Sequence, residues 1–330
     1  ANVDKLAAEF ADELDSLGVR VANLEKKTDN VKITGQIRAS YKDADNGGNE
    51  GRLRTRLFLN GQVNEDWTYT GRFENNQYYT NDDNDDDDVD LNWAYVSGRL
   101  GGIKVEAGRQ DFVKADVMDN RGDGIKLSYG DKIKVFGWAM KANSDDWVNG
   151  SNIFGDTAVD DGDRVYVAGV ESKIGVIGAD LRYYNADNAR ENEIWEVSVN
   201  GDIAKDLNLK GSYFYGDSDT FDGDDSGWLV GLSYRGAKAS EPGSWGVYAN
   251  YSDRPLATFL NPTLFSGGYG EYPFGTLQEA IDADGYEGFD VGANVTLAKN
   301  IVAGVKYVDV DCREDGDDEQ TIWSELVFTF

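Results

Sequence analysis

Arginine recurs at every second position in one stretch of the chain, where Arg52, Arg54 and Arg56 alternate with Leu53, Thr55 and Leu57. Just upstream Arg38 falls in phase with Lys32, Thr34, Gln36 and Ser40, while Val31, Ile33, Ile37, Ala39 and Tyr41 take the other parity. Period-two spacing sends successive side chains to opposite faces of an extended strand, so these cations share one face and the apolar residues the other. Arg72 takes the charged face of the next such stretch. Guanidinium groups gathered on one wall do electrostatic work: they attract, hold and orient anions. The alternative is that they pair with neighbouring carboxylates such as Glu74 and only stabilise a polar interior.

Covalent catalysis is disfavoured by the inventory. Histidine is absent and Cys312 is the single cysteine, so a His-based acid–base pair, an intrachain disulfide and a Cys/His zinc site are all excluded. Cys312 falls in an acidic stretch, where neighbouring negative charge should blunt its nucleophilicity. The 330 residues carry a formal net charge of −29, which speaks against binding nucleic acid by charge attraction. Two acidic runs stand out, Asp82 to Asp88 (Asp82, Asp83, Asp85, Asp86, Asp87, Asp88) and Asp217 to Asp225. Oxygen ligands suit calcium or magnesium, and Asp85, Asp86, Asp87 and Asp88 are the candidates for a weak divalent site. Neither run has the spacing of a twelve-residue calcium loop, and a solvated acidic rim is the competing explanation. No other cofactor is indicated.

The elements that must position these charges are strands. Gly (39) and Tyr (18) are abundant and Pro (4) is rare, which favours strands and tight turns over disorder. From Val31 onward about sixteen strand-like stretches follow one another, beginning 31–41 and 52–63 and ending 301–310 and 321–330. The links after even-numbered strands are short, such as 101–102, 130–131 and 298–300, and those after odd-numbered strands are generally longer and acidic. No run of about 18 apolar residues forms a transmembrane helix, and the mean hydropathy of −0.55 does not exclude a barrel whose strands need only one apolar face. Trp67, Tyr69, Trp195, Trp228, Tyr234, Trp245 and Tyr307 fall near strand ends, where amphipathic rings would form two girdles at a membrane boundary. A soluble β-sandwich or barrel is also compatible with alternation, but many apolar-face positions are Ala, Gly or Val, too small to fill a core of that size. The expected fold is therefore all-β: a transmembrane antiparallel β-barrel of about sixteen strands over 31–330, with short turns at one end and long loops at the other.

Residues 1–30 have a different period. Leu6, Phe10, Leu14, Leu17, Val21 and Leu24 are spaced three or four apart between charged residues, the pattern of a helix with one narrow apolar stripe. The near-heptad steps predict an α-helical coiled-coil stalk; an ordinary helix packed on its own domain is the alternative.

The helical opening DKLAAEFADELDSLGVRVANLEKK, the strand VKITGQIRASY that follows it and the terminal Phe330 together resemble the OmpM-like outer-membrane porins. Members of that family carry an S-layer-homology domain ahead of a helical stalk and barrel and tether the outer membrane to peptidoglycan. The resemblance implies a homotrimeric channel for ions and small hydrophilic solutes in the bacterial outer membrane. The stalk would lie in the periplasm, and outer-membrane lipids, lipopolysaccharide and, through a domain absent from these residues, peptidoglycan would be partners. It also implies that the third long connection, 110–123, folds into the barrel so that Asp111, Asp116, Asp119 and Arg121 face the wall of Arg38, Arg52, Arg54, Arg56 and Arg72. A structural anchor with a plugged or narrow barrel is the alternative function. The longest connection, 253–286, is greasy, with Leu256, Phe259, Leu260, Leu264, Phe265 and Phe274, and is expected to pack into the lumen or onto a neighbouring subunit. With an acidic mouth and a basic wall in opposition, weak ion selectivity is expected.

Overall fold

The computed structural model describes residues 31–80, 88–111, 116–119, 121–142, 164–187, 191–218, 222–265, 268–314 and 316–330. Sixteen strands follow one another: β1 (Val31–Ala44), β2 (Gly48–Gln62), β3 (Thr68–Tyr78), β4 (Asp90–Leu100), β5 (Ile103–Asp111), β6 (Arg121–Tyr129), β7 (Ile133–Ala142) and β8 (Arg164–Ile174), then β9 (Ile177–Asp187), β10 (Glu193–Ala204), β11 (Leu207–Asp217), β12 (Ser226–Arg235), β13 (Trp245–Arg254), β14 (Tyr286–Ala298), β15 (Ile301–Cys312) and β16 (Asp318–Thr329). Each pairs antiparallel with its chain neighbours and β1 returns to β16, so the sheet is a closed barrel without an edge. The helix expected over 1–30, with Leu6, Phe10, Leu14, Leu17, Val21 and Leu24, lies outside the described residues.

Closure is made by the two ends of the barrel sequence. β1 and β16 pair from Gln36↔Thr329 to Ala44↔Thr321. Beyond that ladder the Gly35 amide donates to the Phe330 carbonyl at 2.8 Å and the Phe330 amide donates to Gly35 at 3.0 Å. The Phe330 ring lies where a Cβ at position 35 would stand, which is why this position needs glycine.

At one end the connections are tight: 101–102, 175–176, 205–206 and 299–300. Each contains a residue of positive φ, Gly101 (60°), Gly175 (65°), Asp206 (61°) or Asn300 (65°), the types that tolerate the left-handed region two-residue hairpins demand. At the other end connections run as long as 143–163 and 255–285, but three are shorter than the sequence suggests. Pairing between β1 and β2 continues to Ala44↔Gly48, so the first connection is 45–47; the third is 112–120 and the last 313–317.

The two faces of the wall are inverted relative to a water-soluble β protein. Val197, Val199, Val230, Leu232, Val247 and Val305 all project outward and are exposed. Rings bound this belt: Tyr183 on Trp195 (4.8 Å between centroids) and Trp228 stacked on Tyr251 (5.4 Å) toward the long connections, Tyr234 on Trp245 (5.9 Å) toward the short ones. A continuous apolar exterior framed by Trp and Tyr suits hydrocarbon between two interfaces. Among the described residues no helix is long and apolar enough to cross a membrane, which says nothing of strands.

Inside, the connection 255–285 folds back into the lumen rather than outward. Leu256, Phe259, Phe265, Phe274, Ala280 and Ala283 pack against the inward residues Tyr286, Val308, Val310 and Cys312. Prolines at 255, 262 and 273 keep this segment out of the ladder, and its apolar side chains find a dry surface on the inner wall of β14 and β15. A 3-10 turn (Leu256–Thr258) opens it and α1 (Leu277–Asp282) closes it, with a capping box in which Thr276 accepts from the Glu279 amide at 3.2 Å and Glu279 accepts from the Thr276 amide at 3.1 Å. Cys312 is therefore not in an acidic loop: it is the last residue of β15, buried, with Sγ donating to the Pro273 carbonyl at 3.6 Å. A second apolar cluster fills the lumen beside β7 to β11, joining Phe136, Trp138, Val167, Tyr184, Ile194 and Phe214 to Val117 and Met118 of the third connection and Leu260 of the seventh.

Candidate functional site

The inward arginines form a wall on β1 to β3. Register sets Arg38 directly opposite Arg54, and Arg56 directly opposite Glu74. These residues are far more buried than charges on an open water surface: Arg38 is 1% exposed, Arg72 3%, Arg52 4% and Arg54 8%. Rings cover them. The Arg38 guanidinium lies over Trp323 (5.0 Å) and Tyr269 (5.2 Å), and that of Arg72 lies over Trp93 (4.2 Å), contacts in which an aromatic face partly replaces water.

Carboxylates and a phenol hold most of the wall. Arg38 donates to the Tyr269 hydroxyl at 2.7 Å and comes within 3.9 Å of Glu325, and Arg52 within 3.7 Å of Glu50. Glu74 pairs with Arg56 and lies 3.7 Å from Arg72. Asp111 accepts both Nη groups of Arg72, at 2.8 and 3.2 Å, and stands opposite Arg121 in the β5–β6 register. Lys42, two steps of the alternation beyond Arg38, pairs with Glu271.

The third connection does not face the wall as a whole. Asp111 and Arg121 reach it, but Asp116 pairs with Lys210 on β11, and its carbonyl accepts from Arg254 at 2.9 Å. Asp119 is tied through its backbone, its amide donating to the Asn261 carbonyl at 2.7 Å. The amides of Leu260 and Asn261 both donate to the Val117 carbonyl, at 2.9 and 3.0 Å. The two lumenal connections are thus bonded to each other, and Arg254 locks the junction by donating to the Thr258 carbonyl at 2.7 Å and its hydroxyl at 3.1 Å. What covers Arg38 and Lys42 is the seventh connection, through Tyr269 and Glu271.

Two further charge groups complete the interior. Arg182 lies 3.5 Å from Glu196, whose carboxylate also accepts from Tyr184 (2.7 Å) and Ser198 (3.0 Å). Toward the short turns a cavity of about 530 Å³ opens into the barrel, lined by Lys134, Glu171, Asp180 and Asn200 among others. At the opposite rim Arg313 gathers three carboxylates, donating to Asp253 at 2.7 Å, to Asp224 at 2.8 Å and to Asp284. Burial pushes the Asp284 carboxyl above its usual range, against the pull of the Asp224 amide and Arg313. Desolvation pulls the Arg313 guanidinium down, but the hydrogen bonds it donates to Asp224 and Asp253 outweigh that and leave it raised.

Among the described residues no group of three or more Asp, Glu, Cys or His is arranged to hold a metal ion; Asp85, Asp86 and Asp87 lie outside them. The inward arginines follow from sequence parity. Lys42 continues the same parity, Lys210 takes the inward parity of β11 with Asn208 and Ser212, and both could have been found that way; Tyr269 and Glu271 carry no periodic signal.

No protein-family model and no curated protein matches the sequence. Solved structures do match in fold. A variant of the porin of Rh. blastica superposes with a TM-score of 0.57 at 11% identity, over 91% of this chain and 100% of that one. A triple mutant of Rhodopseudomonas blastica porin gives 0.56 at 12%, with the same coverage. At this identity the likeness establishes the fold, a closed antiparallel barrel of porin type.

Proposed function

We propose that the chain is an outer-membrane porin, a water-filled channel through which ions and small hydrophilic solutes diffuse. The observation that carries this reading is the inversion of the barrel: apolar residues such as Val197, Val230 and Val305 outside, arginines and carboxylates within. A wall of that kind needs hydrocarbon around it and has a polar interior to offer a solute. The constriction is assigned to Arg38, Arg52, Arg54, Arg56, Arg72, Asp111 and Arg121, with Tyr269 and Glu271 of the seventh connection packed on Arg38 and Lys42. Asp116 and Asp119 serve instead to hold the lumenal segments together.

In the OmpM-like reading the barrel is a homotrimer, and residues 1–30 are the periplasmic stalk of a tether to peptidoglycan. The helical spacing of Leu6 to Leu24 and the start of β1 at the short-turn end support it. The second reading, an anchor with a plugged barrel, is favoured by the two apolar clusters inside the lumen. Planar-bilayer recording separates the two. Steps of nanosiemens scale support the porin, and a stable barrel that stays silent supports the anchor. Chemical cross-linking in detergent tests the trimer.

A further inference from the structure

We propose that Arg54 is the centre of a binding site for a small oxyanion, a carboxylate or phosphate group, on the lumenal wall. The proposal rests on the channel reading and adds a substrate class to it. Every other arginine on β1 to β3 has a partner: Tyr269 and Glu325 for Arg38, Glu50 for Arg52, Glu74 for Arg56, Glu74 and Asp111 for Arg72. Among the described residues Arg54 makes no hydrogen bond or ion pair, and its Nε, like those of Arg38, Arg52 and Arg72, is buried without a hydrogen bond. The side chain keeps only 8% of its exposure and stands directly opposite Arg38 in the strand register. Glu74, the nearest source of negative charge, is already shared between Arg56 and Arg72.

Like charges set opposite each other across strands repel, and a buried cation without a counter-charge is strongly unfavourable. Guanidinium does not escape by losing its proton. The missing partner is therefore an anion from solution. The planar fork of Arg54 matches the two oxygens of a carboxylate or phosphate, which a halide cannot bridge in the same way. Arg38 and Arg56 on either side add to the field, and the rings of Tyr269 and Trp323 over Arg38 keep the surroundings dry enough for that field to be felt. In a chain of net charge −29 this is a local excess of positive charge at a defined atom.

The test is block of the KCl current in planar bilayers by added phosphate or acetate. The parent should show saturable block by one or both. Arg54→Gln should raise the half-blocking concentration at least tenfold, and Arg54→Lys, which keeps the charge and loses the fork, should raise it by less. Arg235→Gln, at the short-turn end over Tyr234 and Trp245, should leave it unchanged. Block by phosphate alone assigns the site to phosphate groups, and block by acetate as well assigns it to oxyanions in general. A conducting parent that neither anion blocks, or equal block in the parent, Arg54→Gln and Arg54→Lys, overturns the site and leaves the channel standing. A parent that folds but does not conduct refutes the channel instead. Phosphate binding by calorimetry on the same detergent preparations then decides the site: binding lost in Arg54→Gln upholds it, and no binding by the parent overturns it.

Discussion

Truncating Phe259 to alanine should free the lumenal segment while leaving the wall intact. Phe259 is 0% exposed, stacks on Tyr272 at 6.1 Å and meets Tyr286 edge-on at 5.3 Å. Removing a fully buried phenyl group costs about 3–5 kcal/mol, aromatic contacts included. None of that loss falls on the β ladder, whose hydrogen bonds run between strands, so it falls on the attachment of 255–285 to the inner wall. At about 1.4 kcal/mol per decade, opening of the segment becomes roughly 10²- to 4 × 10³-fold more frequent. Amide hydrogen exchange reads this directly. The amides of Leu260, Asn261 and Asp119, which bond across the junction of the two lumenal connections, should exchange faster by that factor. Amides in the β13–β14 ladder should be unmoved. If the junction amides keep the parent rate in Phe259→Ala, or accelerate only together with the ladder, the segment is not a separately attached unit and the reasoning fails.

Other outcomes follow from the same geometry. Deleting 256–280 should raise single-channel conductance, because it empties lumen now filled by the seventh connection; an unchanged conductance would place that segment outside the ion path. Gly35→Val sets a side chain where the Phe330 ring lies, and overpacking of this kind costs about 1–3 kcal/mol. The temperature at which the folded barrel loses its compact mobility on SDS gels should fall, and an unaltered transition would mean the ring moves aside freely. Glu74→Gln takes the shared carboxylate from Arg56 and Arg72, a loss of about 3–5 kcal/mol for a buried partner. It also leaves one more uncompensated positive charge on the wall, so reversal potentials in a salt gradient should move toward anion preference. A shift toward cations, or none, would remove Glu74 from the permeation path.

Most of the wall was legible in the sequence because a strand exposed to different media on its two faces must alternate. Arg52 to Arg56 and Ile322 to Phe330 declare their faces without any knowledge of their neighbours. Register between β4 and β5 then follows from the turn 101–102, whereas the meeting of Arg38 with Arg54 depends on the first connection, whose length the sequence does not fix. The first connection was misjudged for a local reason: the run Asn46-Gly47-Gly48-Asn49 has turn composition, yet the ladder continues through Gly48 because pairing with Ala44 needs only backbone. The third connection was misjudged for a tertiary one. Its carboxylates were expected against the arginines, whereas Asp116 turns to Lys210, ninety-four positions away in the chain.

The sequence by itself determined the barrel, its strand order, which face each charge takes and where the chain closes on Phe330. These follow from short-range rules, alternation along a strand and the geometry of tight turns, that hold whatever lies across the lumen. Only the tertiary structure decided what fills the barrel. That Tyr269 meets Arg38, that Glu271 meets Lys42 and that Val117 bonds to Leu260 depend on two aperiodic segments finding the inner surface that buries them. No residue-by-residue period encodes such a meeting, because it is fixed by the shape and polarity of a cavity that exists only once the sixteen strands have closed.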